Sequence, residues 1–116
     1  MILGVGTDII EIARVHKVFS QHGDRFLQRV FTSYEIEYCL KKKNSSLHFA
    51  ARFAAKEAVM KALGTGLRGL TWLDIGIRND ALGKPTVVFP SLPQGSMFLS
   101  LSHCKEYATA FVVWST

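Results

Sequence analysis

Leu47-His48-Phe49-Ala50-Ala51-Arg52-Phe53-Ala54-Ala55-Lys56-Glu57-Ala58-Val59-Met60-Lys61-Ala62-Leu63 is rich in alanine and free of glycine and proline, so it predicts a helix that stops at Gly64-Thr65-Gly66. Successive residues turn by about 100° around such a helix. Phe49, Phe53 and Met60 then share one narrow sector, while Glu57 and Lys61 fall on another, beside Ala50 and Ala54. A carboxylate and an ammonium stand one turn apart, flanked by side chains small enough to let another group approach. The plain reading of the pair is an i,i+4 salt bridge, worth roughly 0.2–0.5 kcal/mol. The alanines around it point further, because a solvated helix face carries more polar residues.

Working outward, Ile2 to Thr7 is a short apolar run that predicts a buried strand. Ile12, Val15 and Phe19 then recur at helical spacing, with Arg14, Lys17 and Gln21 turned away. Gly23 ends that helix, and Asp24 is placed to cap a short successor through Val30. Thr32-Ser33-Tyr34-Glu35 has the spacing of a capping box, so a further helix is expected through about Leu40, followed by a basic loop from Lys41 to Ser46. Beyond Gly69 the pattern changes to strands at Leu70–Arg78 and Thr86–Phe89, with Asn79 to Pro85 turning between them. Two more strands, Phe98–His103 and Ala108–Trp114, flank the Cys104–Tyr107 connection. This order predicts an α+β fold, with an N-terminal strand and helices packed on a mostly antiparallel sheet. At 116 residues the chain is expected to be one domain, 1–116.

The formal charge of +5 favours anionic partners: nucleic acid, a phosphorylated cofactor, an acidic protein or a membrane surface. Cys39 and Cys104 have no metal-ligand spacing and are expected to be reduced thiols. Asp8 and Glu11 interrupt the apolar start before a signal or membrane segment is complete, so a cytoplasmic protein with no membrane partner is expected.

Asp8 follows the first strand and precedes a helix. It is either an N-cap or, at a strand end facing a helix, part of a ligand site. With Glu57 it has the chemistry to hold Mg²⁺, which takes one or two protein carboxylates and fills its other positions with water and phosphate oxygens. His103 ends a strand beside Ser102, where it can serve a phosphate, but no nucleophile elbow surrounds the serine. Gly64-Thr65-Gly66 is too short for a phosphate loop, and Gly4-Val5-Gly6 lacks the third glycine of a dinucleotide fingerprint. Arg14, Lys17, Arg25 and Arg29 make a basic stripe that is either a solvated face or a landing strip for an acidic helix.

Taken together, Gly4-Val5-Gly6-Thr7-Asp8-Ile9-Ile10-Glu11-Ile12 resembles the opening signature of bacterial holo-acyl-carrier-protein synthases. Arg52-Phe53-Ala54-Ala55-Lys56-Glu57-Ala58, running on to Lys61-Ala62-Leu63-Gly64-Thr65-Gly66, resembles the second. Phe31-Thr32 ahead of Glu35, Asn79-Asp80 with Gly83-Lys84-Pro85, Leu99-Ser100-Leu101-Ser102-His103 and Glu106-Tyr107-Ala108 follow in family order, so the resemblance spans about Ile2 to Val113. It implies a phosphopantetheinyl transferase acting in fatty acid biosynthesis, with Asp8 and Glu57 as magnesium ligands, Lys61 as a catalytic group and coenzyme A as substrate. Lys61 and His103 match positions that contact the cofactor's phosphates; Arg52, Gly83, Lys84 and Pro85 match positions near the nucleotide. The resemblance also implies an acidic apo-acyl-carrier protein as partner, which the stripe of Arg14, Lys17 and Arg25 would meet, and a homotrimer with active sites between subunits. Cys104 stands where relatives commonly carry a polar or acidic residue, and Ala51 where glycine is frequent. The alternative is a small basic nucleic-acid-binding domain with Trp72, Tyr34 or Tyr107 stacking on bases. Its aromatics do not interleave with arginines, however, and no nucleic-acid motif is present.

Overall fold

The alanine-rich helix is the element around which the rest is arranged. A computed structural model describes residues 1–116. The elements run β1 (Ile2–Glu11), α1 (Ile12–His22), α2 (Asp24–Val30), α3 (Ser33–Leu40), α4 (Ser45–Leu63), β2 (Gly76–Asn79), β3 (Pro85–Val88), β4 (Ser96–His103) and β5 (Tyr107–Ser115). The fold is α+β, with a three-stranded sheet in the order β1-β5-β4 and a two-stranded β2-β3 sheet. Every pairing is antiparallel. No helix is long and apolar enough to cross a membrane.

Helix α4 starts two residues before the expected Leu47, because the Asn44 side chain accepts the Leu47 N–H at 3.3 Å and caps it. It ends at Gly64, whose φ of 78° is the left-handed turn that glycine adopts without a steric penalty. Ala54, Ala55, Ala58 and Ala62 are buried and take part in a core with Ile75, Ile77, Leu99, Ala110 and Val112. The small side chains let β1 come close: a Cβ at Gly6 would overlap the Ala58 carbonyl, and one at Gly4 the Ala62 carbonyl. A second core, around Phe31, Phe49, Leu27 and Val15, packs α1, α2 and α3 on the first half of α4.

Several sequence expectations need correction. Strand β1 does not stop at Thr7 but continues to Glu11, with Asp8 opposite Ala110 on β5. Asp8 is therefore a strand residue, and the cap position of α1 is Glu11, which makes no side-chain capping bond. Nor is the strand wholly buried: Gly6 faces α4, whereas Val5 and Ile9 are 56% and 65% exposed. Apolar residues on both faces had hidden the alternation of two that a strand imposes. At α2, Gly23 holds the cap position and Asp24 is the first helical residue.

The expected Leu70–Arg78 strand is only Gly76–Asn79. Before it, Thr71 and Asp74 form a capping box around a single 3-10 turn at Trp72–Asp74, with the Thr71 N–H donated to Asp74 Oδ2 at 2.7 Å. Such local side-chain bonds compete with strand formation. The other strands lie within two residues of the expected bounds.

The Thr32–Glu35 capping box is present, but its carboxylate does more than cap. Glu35 is fully buried and pairs with the equally buried Lys56 at 2.7 Å. Lys56 also donates to the carbonyls of Val30 and Trp72, at 2.7 and 3.0 Å. Burial pushes the Lys56 ammonium below its ordinary pKa, and the Glu35 carboxylate pulls it back up. Both cysteines are free; burial pushes the Cys39 thiol up to about 12, while Cys104 is exposed.

Candidate active site

Asp8 lies on the α4-facing side of β1, opposite the buried Ala110, and Glu57 and Lys61 project from α4 toward it. All three line one cleft of about 410 Å³, with Arg14 of α1, Phe26 of α2 and Phe53 of α4 among its walls. Lys61 does not form the i,i+4 bridge to Glu57. Its Nζ donates to the Thr7 carbonyl at 2.9 Å and to Asp8 Oδ1 at 3.4 Å. The Asp8 side chain is only 17% exposed. The strand extension past Thr7 explains the switch, since it brings a carbonyl and a carboxylate within reach of the ammonium.

Glu57 is left without an ion-pair partner of its own. Partial burial raises its pKa above the ordinary carboxylate value, the Asp8 charge raises it further, and Lys61 offsets part of this. Two carboxylates thus share one cleft with one ammonium. Because the folded pKa is raised, the native state holds more protons than the unfolded state in the window above the ordinary value, so stability falls as pH rises through it. In metal-free protein, the Tm advantage of Glu57→Gln over wild type is expected to grow between about pH 4 and about pH 7, measured by thermal melts. A constant difference would contradict the assignment. From Glu57 and Lys61 a shallow groove continues past Met60, Gly64, Leu67 and Trp72.

The remaining candidates gather elsewhere. Arg52 and Glu57 are five residues apart on α4, about 140° around the helix. Arg52 is buried, with its Cζ 4.0 Å from the centre of the Tyr38 ring and its Nη2 donating to Asn79 Oδ1 at 2.5 Å. Arg52 Nε is buried without a hydrogen-bond partner. The Asn79 amide in turn donates to the Gly83 carbonyl at 3.0 Å, so Arg52 is tied to the Gly83-Lys84-Pro85 turn. Asp80 Oδ1 shapes that turn by accepting the N–H groups of Leu82 and Lys84, both at 2.9 Å.

His103 is exposed at the end of β4, with its ring centre 6.5 Å from that of His48. Burial pushes the His48 pKa down, and the nearby charges of Arg52, Lys42 and His103 push it further. Cationic groups accumulate here, as at a site for an anion. None of Arg52, Gly83, Lys84, Pro85 or His103 lines the Asp8–Glu57 cleft. Within one chain the candidate residues therefore fall into two separate groups.

Of the basic stripe, Arg14 lines the carboxylate cleft, Lys17 is exposed on α1, and Arg25 sits with His22, Phe26 and Arg29 in a separate small depression. Sequence reasoning gave no site role to Tyr38, His48 or Asn79, and read Glu35 only as part of a capping box. Asn79 was within a quoted motif, but nothing in its spacing announced the bond to Arg52.

The family model described as "4'-phosphopantetheinyl transferase superfamily" matches residues 4–112. The chain is 55% identical to holo-[acyl-carrier-protein] synthase of Protochlamydia amoebophila, with 100% of both sequences covered. The chain belongs to the holo-acyl-carrier-protein synthase family. Among solved members, the Neisseria meningitidis holo-[acyl-carrier-protein] synthase superposes with a TM-score of 0.92 at 37% identity, covering 100% of both chains. The Bacillus anthracis holo-(acyl-carrier-protein) synthase, in complex with CoA (3',5'-ADP), superposes with a TM-score of 0.87 at 41% identity, covering 98% of this chain and 96% of that one. Holo-acyl-carrier-protein synthase membership thus rests on nearly the whole length.

Proposed function

We propose that residues 1–116 work as one cytoplasmic transferase domain that moves 4′-phosphopantetheine from coenzyme A to a serine of apo-acyl-carrier protein in fatty acid biosynthesis. The observation that carries this is the convergence of Asp8, Glu57 and Lys61 in one cleft. The serine hydroxyl attacks the phosphorus nearer the pantetheine, forming a new phosphodiester and giving up its proton to solvent. The pyrophosphate bond breaks, and 3′,5′-ADP leaves.

Mg²⁺ fits the donor set. Asp8 and Glu57 line one cleft, Glu57 has no ion-pair partner of its own and the Asp8 charge raises its pKa, and hard cations choose such oxygen ligands. No cluster of three or more protein ligands is present, so substrate and water oxygens would complete the shell. When bound, the ion neutralises charge on the pyrophosphate oxygens and polarises the phosphorus. The chain itself supplies alignment and charge, which are what phosphoryl transfer most needs. Asp8 and Glu57 would hold the ion, and Lys61, held by the Thr7 carbonyl and the Asp8 carboxylate, keeps one N–H donor for phosphate. Arg52, His103 and the Gly83-Lys84-Pro85 turn are the nucleotide-binding half.

A homotrimer reconciles the two groups, because one chain's cleft would then meet a neighbour's nucleotide half. The outer face of the β1-β5-β4 sheet fits such an interface: Val5, Ile9, Phe98 and Phe111 are about half or more exposed there, an apolar patch unusual for a free surface. Phe111→Asp is expected to shift the protein from trimer to monomer in light scattering and to abolish transfer. A fully active monomer would contradict the shared site.

Arg14, Lys17 and Arg25 suit an acidic carrier. Arg25→Glu is expected to raise the KM for carrier about tenfold or more, an effect that shrinks with added salt, leaving coenzyme A binding unchanged. Salt-independent carrier affinity would remove this part of the proposal. For the activity itself, incubation with coenzyme A, Mg²⁺ and apo-carrier should add the mass of one phosphopantetheine group to the carrier. No mass gain across several carriers would overturn it.

A further inference from the structure

The proposed reaction leaves one buried carboxylate without a role. Glu35 of α3 is 0% exposed and receives three donors: the Thr32 N–H at 2.8 Å, the Ile77 N–H at 2.6 Å and the Lys56 ammonium at 2.7 Å. Three elements therefore meet on it: α3 itself, α4 through Lys56, and β2 through Ile77. A carboxylate can accept all three donors, whereas an amide cannot, since its NH₂ would face a donor.

What β2 carries gives the contact its meaning. Ile77 lies two residues before Asn79, the group that joins Arg52 to the Gly83-Lys84-Pro85 turn. Tyr34, next to Glu35, accepts the Asn79 N–H at 3.3 Å. The β2-β3 sheet has only two strands. A two-stranded sheet is marginal by itself, so whatever anchors it sets where it sits.

We propose that Glu35 is a positioning residue for coenzyme A, holding β2 and its turn against α4 at the separation that lets Arg52 reach Asn79. This rests on the transferase reading above. Glu35 touches no substrate; it acts through the backbone of β2.

The test is coenzyme A binding by calorimetry, with steady-state transfer alongside it. Glu35→Gln leaves a lone buried ammonium, which weakens the fold, so Glu35→Gln/Lys56→Met is measured as well. In both variants the Kd and KM for coenzyme A are expected to rise about tenfold or more, with kcat and the KM for carrier within about threefold, the signature of lost ground-state binding. Leu27→Ala, which opens the second core and not the one that holds Ile77, is the control for general destabilisation and should leave the Kd unchanged below its Tm. A wild-type Kd in either folded variant, or an equal rise in Leu27→Ala, overturns the proposal. Because binding is read directly, a wild-type protein that binds coenzyme A but transfers nothing would sink the transferase reading while leaving this one decided by the Kd. A wild-type protein that does not bind coenzyme A overturns both.

Discussion

Asp8→Ala and Glu57→Ala are each expected to lower kcat/KM for phosphopantetheine transfer by roughly 10³-fold or more, the scale seen when a preorganised charge at the reacting centre is lost. Neither should unfold the protein. Asp8 contributes its backbone to β1 and its side chain only to Lys61, at 3.4 Å, so truncation leaves the strand pairing and the Gly6–α4 contact intact. At Glu57 the fold stands to gain. Its carboxylate is partly buried and repelled by Asp8, so removing the charge relieves a native-state cost. Loss of activity together with an unchanged or higher Tm in metal-free buffer is the expected pair of results. A variant that loses activity only because it melts would show that Glu57 is structural. Added Mg²⁺ should then reverse the order of the melts, raising the wild-type Tm and leaving Glu57→Ala where it was, because a ligand that binds only the native state stabilises it.

The second large effect is on stability. Lys56→Ala is expected to cost about 3–5 kcal/mol, the loss typical when one member of a buried ion pair is removed and the other charge stays behind. The cost falls on Glu35, and the carbonyls of Val30 and Trp72 lose a donor at the same time. Urea unfolding monitored by circular dichroism measures it. The contrast is Lys41→Ala, which breaks an exposed i,i+4 bridge to Glu37 at 3.0 Å and is expected to cost only about 0.3–0.5 kcal/mol. If the two substitutions cost the same, the Glu35–Lys56 pair does not anchor the fold.

These two neighbours, Lys56 and Glu57, show what sequence reading can and cannot reach. Helix α4 was legible because composition, capping and the glycine stop all agree over a long segment. Its periodicity set Glu57 and Lys61 apart from the Phe49 sector, but the structure has Phe53 of that sector in the same cleft as the two charged residues and Met60 in the groove beside them. Glu57 and Lys61 could be picked out because charges beside alanines are conspicuous. Lys56 could not, because its pairing depends on Glu35, twenty-one residues earlier, and no periodicity links two different helices. Glu35 itself was correctly read as a capping residue, yet capping uses only part of its carboxylate.

The end of β1 misled for a different reason. An acid after an apolar run looks like a helix cap, and only pairing with β5, a hundred residues later, keeps the strand extended through Asp8. That same pairing aims Asp8 at α4. The separation of Arg52 and His103 from the carboxylate cleft was also out of reach, since it is a property of the folded surface. The resemblance implied sites between subunits; within one chain the candidates fall into two separate groups.

The central claim is that Asp8 and Glu57 hold one divalent ion against a pyrophosphate. Crystals grown with Mn²⁺ and coenzyme A, measured at a wavelength where manganese scatters anomalously, test it directly. The expected result is a single strong peak within bonding distance of both carboxylates and of a pyrophosphate oxygen. A peak that omits either Asp8 or Glu57, or a bound coenzyme A with no peak in the cleft, would contradict it.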